Sequence, residues 1–272
     1  MNREKLISRE YKLVLKTENF TGNESDLTEK ASIFWANYTK IINPIIKTFN
    51  GDLTTISIKR EIRFYDTKDF ILNNNSYIFR QRKSLLDDKK EVTLKFRHPD
   101  RYISQDRNMK TQKDGKEEIK FEEDIKAKFI SLYSFSASQG ITDKKEFKKI
   151  KHIANLYPGL KQEFDKNGES ENLILVNNLV IQEMVITGAN IIICDDPLVS
   201  AECALIIWYD TEAFTSNPII AEFSFRYGNK KEKFSRETAQ KTYDLFLLIQ
   251  EGMKLWIDSD NATKTGFVYG DR

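Results

Sequence analysis

Lys59-Arg-Glu-Ile-Arg-Phe-Tyr-Asp-Thr67, Tyr77-Ile-Phe-Arg-Gln-Arg82 and Glu91-Val-Thr-Leu-Lys-Phe-Arg97 follow one another closely, separated by a polar turn at Asn73 to Ser76 and a charged connection. Each run alternates apolar and polar residues, the period of a β-strand with one buried face. Lys59, Glu61 and Arg63 share one side of the first strand. Arg80 and Arg82 share a side of the second, and Thr93, Lys95 and Arg97 a side of the third. Ile58, Ile62, Phe64, Tyr77, Phe79, Val92, Leu94 and Phe96 fall opposite them. Basic side chains repeated on neighbouring strands suggest one shared anion-binding surface, although a solvated charged face would show the same alternation.

The same period returns upstream and downstream. Ser8 to Thr17 places Arg9, Tyr11, Leu13 and Leu15 on one face and Ser8, Glu10, Lys12, Val14 and Lys16 on the other. Lys116 to Ile125 places Glu118, Lys120, Glu122 and Asp124 together, a crowd of carboxylates that needs a lysine, a cation or water to screen it. Further strands are expected at Asn172–Val176, Leu179–Thr187, Asn190–Cys194, Glu202–Asp210 and Ile219–Tyr227, the last carrying Glu222, Ser224 and Arg226 on one side. Helical spacing appears in Asp26–Phe49, where Pro44 should kink or end the helix. It also appears in Ile125–Ser138, in Asp143–Tyr157 with a capping-box start at Asp143 and Glu146, and from a Ser235 cap to about Trp256. The lysines at 144, 145, 148, 149 and 151 read as a solvated helix face.

These elements predict an α+β fold: antiparallel strands forming a closed or nearly closed β-barrel of about eight strands, charged inside, with helices packed outside. A single domain over residues 1–258 and a polar tail over 259–272 are expected. With 43 Lys and Arg against 41 Asp and Glu, the net charge of +2 argues against a general dependence on nucleic acid or an anionic membrane surface. No signal-peptide-like or membrane-length apolar run appears, so a cytoplasmic protein is expected. Cys194 and Cys203 are too few for a disulfide framework and read as reduced structural thiols. His98 and His152 lack partners at catalytic or metal-ligand spacing. Oligomeric state is not legible.

Tyr65-Asp-Thr67 with Leu72 close behind, then Arg80-x-Arg82 and Thr93-Leu-Lys95, resembles the triphosphate tunnel metalloenzyme superfamily, the CYTH group of class IV adenylyl cyclases and thiamine triphosphatases. The resemblance implies a polar tunnel in which Lys12, Lys59, Arg63, Arg80, Arg82, Lys95, Arg97 and Arg226 bind phosphate oxygens. It also implies that Glu10, Glu118, Glu122 and Glu222 hold Mg2+ or Mn2+, with Glu10, Glu118 and Glu122 as the catalytic carboxylates. Asp124 is a lesser candidate, because it is also suited to cap a following helix. The family opens with Glu-x-Glu-x-Lys, where this chain has Ser8-x-Glu10-x-Lys12. It usually ends its barrel with Glu-x-Glu, where this chain has Glu222-x-Ser224. Lys and Arg are absent from Asn167 to Phe225, where family members carry further phosphate contacts. The function implied is a metal-dependent phosphohydrolase acting on a triphosphate or polyphosphate. The alternative is a catalytically degenerate relative that binds a phosphorylated or other anionic small molecule. No nucleobase pocket is visible to favour a cyclase, and no unique general base stands out.

Overall fold

The computed structural model describes residues 3–112, 118–142, 145–164, 166–211, 217–258 and 263–270. Its strands are β1 (Ser8–Leu15), β2 (Phe49–Asn50), β3 (Thr55–Asp66), β4 (Tyr77–Ser84), β5 (Lys90–His98), β6 (Glu118–Lys126), β7 (Ile130–Ile141), β8 (Ile174–Asp195), β9 (Leu198–Asp210) and β10 (Ile220–Gly228). The helices are α1 (Glu24–Ile42), α2 (Ile71–Asn74), α3 (Arg101–Gln105), α4 (Ile150–Ala154), α5 (Lys166–Ser170), α6 (Arg236–Gly252) and α7 (Lys264–Tyr269). Among the described residues, no helix is long and apolar enough to cross a membrane.

The hydrogen-bonded order is β2-β8-β3-β4-β5-β7-β6-β1-β10-β9, and β8 also pairs with β9. The order therefore closes on itself as a barrel of nine strands, with the two-residue β2 added beside β8. The expectation was about eight antiparallel strands. A ring whose neighbours all run antiparallel must contain an even number, so nine strands require at least one parallel pair, and the barrel is mixed.

The chain divides into two compact units, the first built from residues up to Leu6, Arg60–Glu123 and Ser131–Ile181, the second from Ile7–Lys59, Asp124–Ile130 and the chain from Gln182 onward. In the second unit the alternation of β1 buries Tyr11, Leu13 and Leu15. β10 pairs with it in antiparallel register, Tyr11 opposite Phe225 and Leu13 opposite Phe223, and the Tyr11 and Phe225 rings stack 4.8 Å apart. Helix α1 lays Leu27, Ala31, Phe34, Trp35, Tyr38 and Ile42 along one stripe, with Phe34 and Tyr38 packed on Phe223 at 5.1 and 4.7 Å. Helix α6 adds Leu245, Phe246 and Ile249. Each such side chain contributes about 1.5–3 kcal/mol by leaving water. The α1 cap is Asn23, whose side chain accepts from the Ser25 and Asp26 amides, while Asp26 returns a bond to the Asn23 amide. Asp26 is thus the third residue of the helix. The helix stops before Pro44, as the missing amide and the ring require.

In the first unit β3, β4, β5 and β7 pair antiparallel in that order. One face carries Tyr65 and Phe79, which meet Phe147 at 6.3 and 4.8 Å. Tyr157 closes it, its hydroxyl donating to the Val92 carbonyl at 2.9 Å. Asp66, fully buried, accepts from the amides of Thr67, Leu72 and Asn73 at 2.7–2.9 Å. The Asp of the Tyr-Asp-Thr run therefore anchors the turn into α2 and gives Leu72 its buried place.

Four local readings change. Ile125–Ser138 is not a helix: it holds the end of β6 and most of β7, because Ser134, Ser136 and Ser138 alternate with Phe135 and Ala137 at a period of two. The helix expected over Asp143–Tyr157 is only the short α4, and its capping-box start at Asp143 lies outside the described residues, as does the turn at Asp114-Gly115. The three strands expected between Asn172 and Cys194 are the single β8, which bends at Asn177, Asn178 and Gly188 with positive φ instead of ending. The polar tail contains α7, where Val268 and Tyr269 are buried.

Candidate functional site

Residues directly opposite in an antiparallel pair project from the same side of the sheet. Arg80 lies opposite Phe64 and Thr93, Arg82 opposite Ile62 and Glu91, and Lys95 opposite Ile78. Across the next pair, Thr93, Lys95 and Arg97 lie opposite Ser138, Ser136 and Ser134. The first unit thus gathers Arg80, Arg82, Lys95 and Arg97 on one face beside a ladder of hydroxyls. Thr93 and Ser138 share a 2.7 Å hydrogen bond, Arg97 Nε donates to Ser134 Oγ at 3.2 Å, and Arg82 reaches Glu91 at 3.1 Å. The β7 serines were missed in the sequence because their segment reads as helical there.

Arg63 does not join this face. It lies opposite Gln81, two residues from the Tyr65–Phe79 pair, and its Nε donates to Glu61 at 2.8 Å. The expectation that Lys59, Glu61 and Arg63 share a side with Arg80 and Arg82 fails by one residue of register, and Arg60, opposite Ser84, takes that side. Lys59 pairs with Glu24 of α1 within the second unit. On β6, Glu118 pairs with Lys120 at 2.8 Å, Glu122 is half-buried, and Glu123 accepts from Ser131 at 2.8 Å.

The second unit carries a separate set. β1 and β10 bring Glu10 opposite Arg226, Lys12 opposite Ser224 and Val14 opposite Glu222. Lys12 Nζ lies 2.9 Å from Glu10 Oε2 and 2.8 Å from Asp124 Oδ1. Lys264 of α7 reaches Glu222 Oε1 at 2.7 Å and lies 5.7 Å from the Trp208 ring centroid. Trp208 in turn donates to buried Glu183 at 2.7 Å. Arg226 pairs with Glu202 at 2.9 Å. Burial pushes the Glu10 carboxyl up, but the Lys12 ammonium, with Lys264 adding to it, outweighs both burial and Asp124 and holds it below the ordinary carboxylate range. Asp124 caps no helix: the strand runs on to Lys126, and its side chain, 2 % exposed, serves Lys12. Asp124 was readable in the alternation of β6. Lys264 was not, because its contact with Glu222 comes from a segment expected to be loose.

Three of the carboxylates that the family resemblance would offer to Mg2+ or Mn2+, Glu10, Glu118 and Glu222, already hold ammonium groups, and so does Asp124. Among the described residues, no three His, Cys, Asp or Glu side chains converge to hold a metal ion. The residues as arranged do not fit a divalent cation.

No family model and no curated protein matches the chain. Among solved structures it is similar to the candidate adenylyl cyclase HpAC1 from Hippeastrum, described as having a dominant triphosphatase activity, at 10 % identity, with 97 % of this chain and 96 % of that one covered and a TM-score of 0.47. It is also similar to candidate adenylate cyclases from Bacillus halodurans, at 12 % identity, 98 % and 100 % covered and a TM-score of 0.43, and from Vibrio parahaemolyticus, at 10 %, 98 % and 99 % covered and 0.37. Likenesses at this level assign the chain no activity, and its fold stands on its own strand order.

Proposed function

We propose that this chain is a relative of the triphosphate tunnel (CYTH) proteins that binds a small triphosphate- or polyphosphate-bearing molecule and has lost the metal-dependent hydrolysis of that group. One observation carries the reading: Arg80, Arg82, Lys95 and Arg97 stand on one face of β4 and β5, with Thr93 among them and Ser134, Ser136 and Ser138 beside them on β7. Guanidinium forks bind two phosphate oxygens at once, lysine adds a compact charge, and hydroxyls donate to the remaining oxygens. A chain of phosphates suits such a row better than a single carboxylate does. The motif order in the sequence supports the same family.

The hydrolase expectation required a divalent cation on Glu10, Glu118, Glu122 and Glu222. Ammonium groups on Glu10, Glu118 and Glu222 speak against it, so no hydrolytic step is assigned to these residues. The test is calorimetric titration with tripolyphosphate, run beside a phosphate-release assay with Mn2+. Binding that weakens on Arg80→Ala and Arg82→Ala, without phosphate release, is the expected result. Absence of binding would overturn the assignment of the ligand. Mn2+-dependent release would restore the hydrolase.

A further inference from the structure

We propose that Lys12 is the resident cation of the second unit's acidic cluster, occupying the place that a divalent metal would take between Glu10 and Asp124. One ammonium sits 2.9 Å from one carboxylate and 2.8 Å from the other, and both carboxylates are largely shielded from water. A bridging cation would need this spot and these oxygens. Ammonium satisfies both with two charge-assisted bonds. Lys264 places a second ammonium 2.7 Å from one carboxylate, Glu222, whose side chain is 3 % exposed. The register adds a reason from the sequence: Ser224, in place of a carboxylate, lies directly opposite Lys12. A carboxylate there would add another negative charge beside the ammonium and favour a doubly charged ion, whereas a hydroxyl leaves charge for a single positive one. The family has a lysine at this position too, so the departure lies in the carboxylates missing at Ser8 and Ser224, which leave Lys12 to balance the charge of Glu10 and Asp124.

This inference goes beyond the ligand assignment and stands without it, because it concerns what the carboxylates hold and not what the arginines bind. The test is Mn2+ alone, titrated by calorimetry into the full chain, with the melting temperature recorded with and without Mn2+. Wild type should show no saturable binding and no shift in melting temperature. Lys12→Gln, which keeps a hydrogen-bond donor and so protects the fold, should gain a saturable Mn2+ site and a melting temperature that rises with Mn2+ concentration. That gain should disappear on adding Glu10→Gln. Lys264→Met serves as a second variant and should gain weaker binding through Glu222. Saturable Mn2+ binding by wild type that Glu10→Gln removes would overturn the proposal, as would a folded Lys12→Gln protein that stays blind to Mn2+. Tripolyphosphate affinity measured in EDTA and in Mg2+ separates the two readings. Equal affinity in both is expected here, and absent binding refutes the ligand assignment while leaving the Mn2+ outcome to judge this one.

Discussion

Lys12→Met removes the ammonium that stands 2.9 Å from Glu10 and 2.8 Å from Asp124. Asp124 is 2 % exposed at its side chain, so water cannot take over the role of the ammonium. Breaking a buried pair by removing one partner costs about 3–5 kcal/mol. Proton uptake sets a ceiling. At pH 7, protonating a carboxyl that ordinarily titrates near 3.9 costs about 1.36 kcal/mol for each of roughly three pH units, or about 4 kcal/mol. The expected loss at pH 7 is therefore about 3–4 kcal/mol, a fall in melting temperature of about 6–16 °C for a chain of roughly this size.

The pH dependence identifies the cause. In the wild type Glu10 titrates below its unfolded value, so its contribution is full above the ordinary carboxylate range and is lost as pH falls through the lowered value. In the variant the stranded carboxyls titrate above their unfolded values, so stability is fully present at low pH and lost as pH rises. The two curves converge on acidification, and most of the gap should close by about pH 4. Urea melts of both proteins at pH 7 and pH 4.5 measure it. A gap equal at both pH values would assign the loss to packing alone. A gap below about 1 kcal/mol at pH 7 would show that the ammonium matters little, and either result refutes the argument.

Three further outcomes follow from the geometry. Arg80→Ala should weaken tripolyphosphate binding by about 1.5–3 kcal/mol, roughly 10- to 150-fold in calorimetry, while Arg63→Ala, on the opposite side of the sheet, should leave it nearly unchanged. Gly51→Ala should destabilise the chain by more than about 1 kcal/mol in denaturant melts, because Gly51 has φ of +70° and a Cβ would stand 2.0 Å from the Gly188 carbonyl oxygen. Asp66→Asn should cost about 1–3 kcal/mol by the same measurement, since an amide group would turn a donor toward backbone amides that the carboxylate now accepts.

The strands β1, β4, β5 and β10 were legible because polar and apolar side chains alternate in their sequences. What alternation cannot supply is the match between strands. It fixes that Lys59, Glu61 and Arg63 share a side, and that Arg80 and Arg82 do, but a one-residue change in pairing decides whether the two sets meet. Here Phe64, not Arg63, lies opposite Arg80. β7 was hidden for a different reason. Its large side chains, Ile130, Leu132, Tyr133 and Phe135, fall at helical as well as strand spacing, and only the serines break the tie. In β8 the left-handed residues Asn177, Asn178 and Gly188 look like strand ends in a sequence, whereas the pairing carries the chain through them as bends. The Lys264–Glu222 contact joins segments 42 positions apart, and neither side chain announces the other.

The division of labour between arginine and lysine gives the last expectation. The basic face of β4 relies on arginine, whose fork matches two phosphate oxygens, whereas the ion bridging Glu10 and Asp124 is a lysine, whose charge is a point small enough to stand within 3 Å of both. Lys12→Arg keeps the charge and changes only its shape. A planar guanidinium forced into a site fitted to an ammonium should cost about 1–3 kcal/mol through overpacking. Because both carboxylates keep a positive partner, that loss should be nearly the same at pH 7 and pH 4.5, unlike the loss in Lys12→Met. A Lys12→Arg protein as stable as wild type would mean that the cluster asks only for positive charge. The close fit of one ammonium between two carboxylates would then explain neither the choice of lysine nor the exclusion of a metal.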